Sequence, residues 1–231
     1  KRAVAFLREK HGTVDKLNEA WGTTVTDWDT ARKGIKLSPA QKKKAGADLT
    51  AVCGLVAEQY FRVCREQMNE HMPGCLYLGS RFSSFLGPVV AAAGKRCDAV
   101  CFNIYKDLPD QKNADELAEE LDFPMIIGEY HFGALDRGML HTGLRPAKDQ
   151  QDRAAKFAAY LETASQAPWC VGAHWFQFRD QALTGRGDGE NYNIGFVTIT
   201  DTPYPEMRAA ARRVNAPLYQ RRLTGRPGKE D

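Results

Sequence analysis

Glu129 closes the apolar run Pro124-Met-Ile-Ile-Gly128, and Tyr130, His131, Phe132 and Gly133 follow it at once. A continuous apolar run of this length reads as a buried parallel strand. A carboxylate at the C-terminal tip of such a strand sits where barrel enzymes place their chemistry. The competing reading is a strand-capping glutamate in an ion pair. Three further strands are expected to end in polar or aromatic groups: Ser80-Arg81-Phe82, Asn103-Ile-Tyr105, and Trp175-Phe-Gln177 with Arg179 and Asp180 just beyond. If the tips converge, one pocket collects Glu129, Arg81, Asn103, Tyr105, His131, Trp175 and Gln177. Asp180, Asn191 and Asn193 are weaker candidates for hydroxyl contacts. Aromatic faces beside amides and charges suit a carbohydrate.

Cleaving a glycosidic bond takes two carboxyl groups. In a retaining reaction one is an ionised nucleophile, and hydrogen bonds from Arg81 or Tyr105 would keep Glu129 ionised. The tempting partner is Glu19, in the pair Asn18-Glu19. It lies inside a short helix among the packing residues Leu17, Ala20 and Trp21, which reads as a surface or capping position. Asp188 and Glu190 are loop acids, read like Asp180 as hydroxyl contacts or solvated groups. Trp169 reads as core. His131 and His174 lack a clear third ligand and read as hydrogen-bond partners, so neither a metal nor an organic cofactor is expected.

The elements that would position these groups alternate. Helices are expected over Arg2–His11 and from Thr13, as cap, to the stop at Gly22. A loop follows from Trp28 to Pro39, then a long amphipathic helix from Gln41 to His71. In that helix Leu49, Val52, Cys53, Val56, Tyr60, Val63, Cys64 and Met68 recur at helical spacing, as if facing a core. Beyond Pro73-Gly74 come strands at 75–80, 99–105, 125–130 and 171–178. Helices are expected at 85–95, 114–121, 148–165 and from Pro205 to Val214. Strands alternating with helices imply a parallel sheet. No GxGxxG follows any strand, against a dinucleotide fold. The reading is an α/β fold: a partial (β/α)8 TIM barrel, its C-terminal half, strands five to eight, with the N-terminal half missing. The chain opens at Lys1 inside a helix, without an initiator methionine, as though cut there. Residues 1–218 form the catalytic-domain part and 219–231 a basic flexible tail.

The formal charge is only +3 and the basic residues are scattered. The cluster Lys42-Lys43-Lys44 reads as a solvated face, so no nucleic-acid partner is expected. No apolar run approaches the ~18 residues of a membrane span. The six cysteines form no CxxC pair and read as buried free thiols.

Three segments carry a resemblance. Leu17-Asn-Glu-Ala-Trp-Gly-Thr23 with Trp28 is similar to the segment after the acid/base strand of β-galactosidase-like and β-agarase barrels. Gly128-Glu-Tyr-His-Phe-Gly-Ala134, and Asn193-Ile-Gly-Phe-Val197 with Asp201-Thr-Pro-Tyr-Pro205, resemble glycoside hydrolase family 50, the β-agarases. The resemblance runs from the first helix to about Tyr219. It implies a retaining barrel with Glu129 as nucleophile at strand seven. The acid/base glutamate would end strand four, upstream of Lys1, and Glu19 would not replace it. It also implies a polysaccharide or oligosaccharide substrate, a secreted or periplasmic location, and no activity for the chain alone. A β-galactosidase-like enzyme and a catalytically dead carbohydrate-binding barrel are the rival readings. The oligomeric state is not readable.

Overall fold

The computed structural model describes residues 2–109, 119 and 123–224. The helix expected over 114–121 lies, apart from Glu119, outside them. The chain divides into two compact units, residues 1–79 with 85–98 and residues 80–84 with 99–231.

The described part of the first unit is helical: α1 (Arg2–His11), α2 (Val14–Trp21), α3 (Trp28–Lys33), α4 (Pro39–Lys44), α5 (Gly46–His71) and α6 (Gly87–Gly94). Local chemistry sets the boundaries. Thr13 caps α2 by accepting from the Lys16 N–H, and Gly22 ends it at φ 70°. Ser38 and Gln41 form a capping box on α4, with a proline in its first turn. The long helix expected from Gln41 is therefore two, divided at the fully buried Ala45. The loop expected from Trp28 contains a helix because Asp27 accepts from the Thr30 N–H. Leu7, Leu17, Trp21 and Ala45 form the unit's packed centre. Asp48 lies beside it, bonded by Lys10, His11 and Trp21. Burial alone would raise the Asp48 carboxyl, but these donors win and hold it at about 2.

The expected core face of α5 packs only in part: Leu49 lies against the unit's centre, but the face further along does not. Phe61 and Ala57 are buried, whereas Val56 is 62% and Tyr60 53% exposed. The helix is apolar around much of its girth, so spacing alone does not select a face. The decision falls to small size: a Cβ on Gly54 would lie 2.8 Å from the Pro88 Cβ, so α6 comes close on the Gly54 side of α5. The strand expected at 75–80 is absent too. The Tyr77 backbone pairs with Asp98, through its N–H to the Asp98 carboxylate and its carbonyl to the Asp98 N–H.

The second unit is an α/β layer. Its sheet runs β1 (Arg81–Phe82), β2 (Val100–Asn103), β3 (Met125–Tyr130), β4 (Cys170–Trp175), in that order and all parallel. The middle strands are buried, as their apolar runs require. α7 (Gln150–Gln166), α8 (Pro205–Asn215) and α9 (Leu218–Thr224) complete the unit, with α7 packed against β4, α8 and α9. α9 replaces the first part of the expected flexible tail. Arg222 donates to the carbonyls of Ser165, Ala167 and Pro168 at the end of α7, and Arg221 pairs with Glu162.

One irregularity governs the site. Phe102 pairs with Ile127 but Asn103 with Glu129, and on the other side Ile127 pairs with Ala173 but Tyr130 with Trp175. Gly128 is thus an extra residue in β3 against both neighbours, a bulge. Cβ atoms of paired residues share a face, so Arg81, Cys101, Asn103, Ile126 and Glu129 share one face of the sheet. Only glycine fits at the bulge: a Cβ there would lie 2.5 Å from the Cys101 sulfur and 3.0 Å from the Asn103 side-chain oxygen.

The thiols are not uniformly buried. Cys101 and Cys170 are, but Cys53 and Cys75 are exposed, and all six are free. Among the described residues no helix is long and apolar enough to cross a membrane.

Candidate active site

Glu129 stands at the tip of β3 with both oxygens held. Arg81 Nη1 donates to Oε1 at 3.2 Å and the Tyr105 hydroxyl donates to Oε2 at 2.8 Å. The glutamate side chain keeps 20% of its surface open. Tyr105 is placed by its backbone: the Ile104 N–H donates to the Glu129 carbonyl, and the Ile104 carbonyl accepts from Tyr160 of α7. Burial, then the bond to Glu129, pushes the Tyr105 phenol up, so it remains a proton-bearing donor. The result is an ionisable carboxylate with one cationic and one neutral donor, open on its remaining side. Asn103, on the same face, has a buried side-chain oxygen with no partner.

The other expected contacts divide. His131 is 1% exposed. Its Nδ1 donates to the Phe176 carbonyl at 3.1 Å, and its Nε2 accepts from the Leu144 N–H at 2.8 Å. Both nitrogens are used within the protein, so His131 is not a substrate contact. Burial, the main cause, lowers it from 6.5 to about 4 and keeps the ring neutral. The ring buttresses Tyr105, at a centroid distance of 4.7 Å.

Trp175 does not floor a pocket beside Glu129. It pairs with Tyr130, which stacks on Tyr160 of α7, and it packs edge-on against Tyr130, Phe157 and Phe196. Its Nε1 donates to the Ile194 carbonyl. This is the helix-facing side of the sheet, opposite Glu129, because adjacent strand residues point to opposite faces. Trp169 is buried, as its core reading required.

Asp180 and Asn193 are corrections of the same kind. Asp180 accepts from Asn193, Tyr204 and the Gly195 N–H, and Asn193 accepts from Gln150. Both are buried, and their polar atoms are spent on each other. Arg153, fully buried, donates to the carbonyls of Phe132 and Gly195 and to Gln150. Gly195 therefore links buried Arg153, through its carbonyl, to buried Asp180, through its N–H. Gln177 donates to the Arg179 carbonyl and Asn191 lies 3.5 Å from the Leu183 carbonyl; both stay partly open. Glu19 is exposed on α2, and Asn18 closes the turn after it, bonded to Thr23 and Val25.

Sequence reasoning missed Phe176 and Tyr192. Phe176 follows Trp175, and alternation along the chain turns it to the opposite face from that residue. Its ring lies 6.2 Å from His131, with Arg186 over it at 5.8 Å. Strand alternation counted from Trp175 would have found Phe176. Tyr192 sits in a Gly- and Asp-rich loop and carries no such signal. Among the described residues no group of three or more His, Cys, Asp or Glu could hold a metal.

The donor-held glutamate of this parallel α/β sheet stands at a strand tip, where barrel enzymes place their chemistry. The chain is 39% identical to β-agarase B and 44% identical to β-agarase A of Vibrio sp. (strain JT0107), each over 94% of its length. It spans 22–23% of those relatives. The solved structure of PfGH50B matches 96% of the chain at 37% identity and a TM-score of 0.84, over 31% of that protein. No family model matches. By sequence and by fold the chain is similar, over nearly its whole length, to β-agarases A and B and to PfGH50B.

Proposed function

We propose that these residues are the C-terminal half of a retaining β-agarase (β/α)8 barrel, and that Glu129 is its nucleophile. The observation that carries the reading is the Glu129 carboxylate at a strand tip, with one oxygen bonded by Arg81 and the other by Tyr105. Attack requires a carboxylate held in place, and the Arg81 guanidinium and the Tyr105 hydroxyl each donate to one of its oxygens. Glu129 would add to the anomeric carbon of a β-1,4-linked galactose unit of agarose or a neoagaro-oligosaccharide. A second carboxyl group would protonate the leaving oxygen and then activate water. Of the four strands only β3 carries a carboxylate, Glu129, so the second group is expected from sequence outside them.

The test compares the 231-residue chain with the same polypeptide extended upstream by its coding sequence. The extended form should release neoagaro-oligosaccharides from agarose and the chain alone should not. Glu129→Gln in the extended form should lower kcat by ~1,000-fold or more. Unchanged turnover in that variant rules Glu129 out as nucleophile. Cleavage by the chain alone at the extended form's rate rules out a distant acid/base.

A further inference from the structure

The geometry points to an outer sugar-binding step at the Tyr192–His141 ring pair, joined to the Glu129 site through a row of packed rings; it rests on the agarase reading above. Tyr105, bonded to Glu129, lies 4.7 Å from His131. His131 lies 6.0 Å from Tyr192, and Tyr192 lies 6.1 Å from His141. His131 is buried, Tyr192 is partly open and His141 is exposed, so the row surfaces at its far end.

The two outer rings come from different loops, yet both backbones are fixed. The Gln181 side chain, itself 2% exposed, accepts from the Tyr192 N–H, and the Gln181 N–H donates to the Tyr192 carbonyl. The Asn193 N–H donates to the His141 carbonyl at 2.8 Å. Gly143, at φ 74°, lets its loop pass close under the pair: a Cβ there would lie 2.5 Å from His131 Nε2 and 3.1 Å from the Tyr192 ring. Among the described residues neither the Tyr192 hydroxyl nor either His141 ring nitrogen has a hydrogen-bond partner. A rigid ring pair with unspent polar ends suits a neutral sugar, whose C–H face packs on the ring while its hydroxyls take up the polar ends. Set two rings out from Tyr105, the step would hold a residue beyond the one at Glu129. A long agaro-oligosaccharide would reach it and a disaccharide would not.

Calorimetry on the chain with neoagarobiose and neoagarohexaose tests this. Wild type should bind the hexaose more tightly. Tyr192→Ala and His141→Ala should each weaken the hexaose by roughly three- to ten-fold and leave the biose unchanged. Tyr192→Phe should keep most of the difference, and thermal melts within a few degrees of wild type exclude unfolding. Equal weakening of both sugars, or none, overturns the outer step while leaving the agarase reading intact. Failure of wild type to bind the hexaose more tightly than the biose likewise overturns the outer step, while the agarase reading stands or falls on the Glu129→Gln test above.

Discussion

Two neighbouring groups of polar residues in the α/β unit meet opposite ends. Around Glu129 a carboxylate, a guanidinium and a phenol make few bonds and stay partly open. Asp180, Asn193 and Tyr204 beyond β4, with Arg153 of α7, offer the same chemistry and are sealed into one network. The residue types do not separate the groups. The backbone does: the first projects from strand tips on one face, and the second lies on segments folded back against α7 and α8. A buried charge is tolerable only when every bond is made. An ionised group with spare capacity belongs at the surface or at a site.

The contrast can be broken from its buried side first. Asp180→Ala strands Arg153 and should destabilise the chain by roughly 3–5 kcal/mol, read by urea denaturation. A loss of sugar affinity with unchanged stability would return Asp180 to the site. His131 should give a pH signature. Its ring is held near 4 in the folded chain against 6.5 ordinarily. Between those values the unfolded chain binds a proton that the folded chain refuses, so stability falls as pH drops from 6.5 to 4. The full span is about 3 kcal/mol, and His131→Asn should flatten that slope. Tyr105→Phe removes one donor to the carboxylate. In the extended enzyme it should cost roughly 1.5–3 kcal/mol, a ~10- to 100-fold drop in kcat, with the fold intact by circular dichroism. The smallest effect is expected for Gly128→Ala, whose methyl crowds Cys101 and Asn103: about 1–3 kcal/mol in thermal denaturation.

What could be read from the sequence follows the same division. The bounds of β3 were legible, because a strand buried on both sides needs an unbroken apolar run. The α2 boundaries were legible because a threonine and a glycine mark them chemically. The side taken by Trp175 was not, because the bulge at Gly128 leaves no mark in an apolar run and alternation counted across it comes out reversed. Asp180 and Asn193 look like sugar contacts until their partners Gln150, Tyr204 and Gly195 are brought in from distant segments. The packed face of α5 was hidden because glycine and alanine decided it, not the large apolar residues. The Leu218–Thr224 helix was hidden because its anchors are arginines, which composition alone reads as solvated tail.

A single inserted glycine acts as a parity switch for the middle strand. With the bulge absorbing one residue, the acid looks toward Arg81 and the tyrosine toward α7. Were the same residues to run in regular alternation, the two would trade sides, and a carboxylate would press into the aromatic layer while a phenol took over the rim. Deleting Gly128 would restore one-to-one pairing after Ile127 and leave the acid on its face; flattening the bulge with the residue kept would invert it.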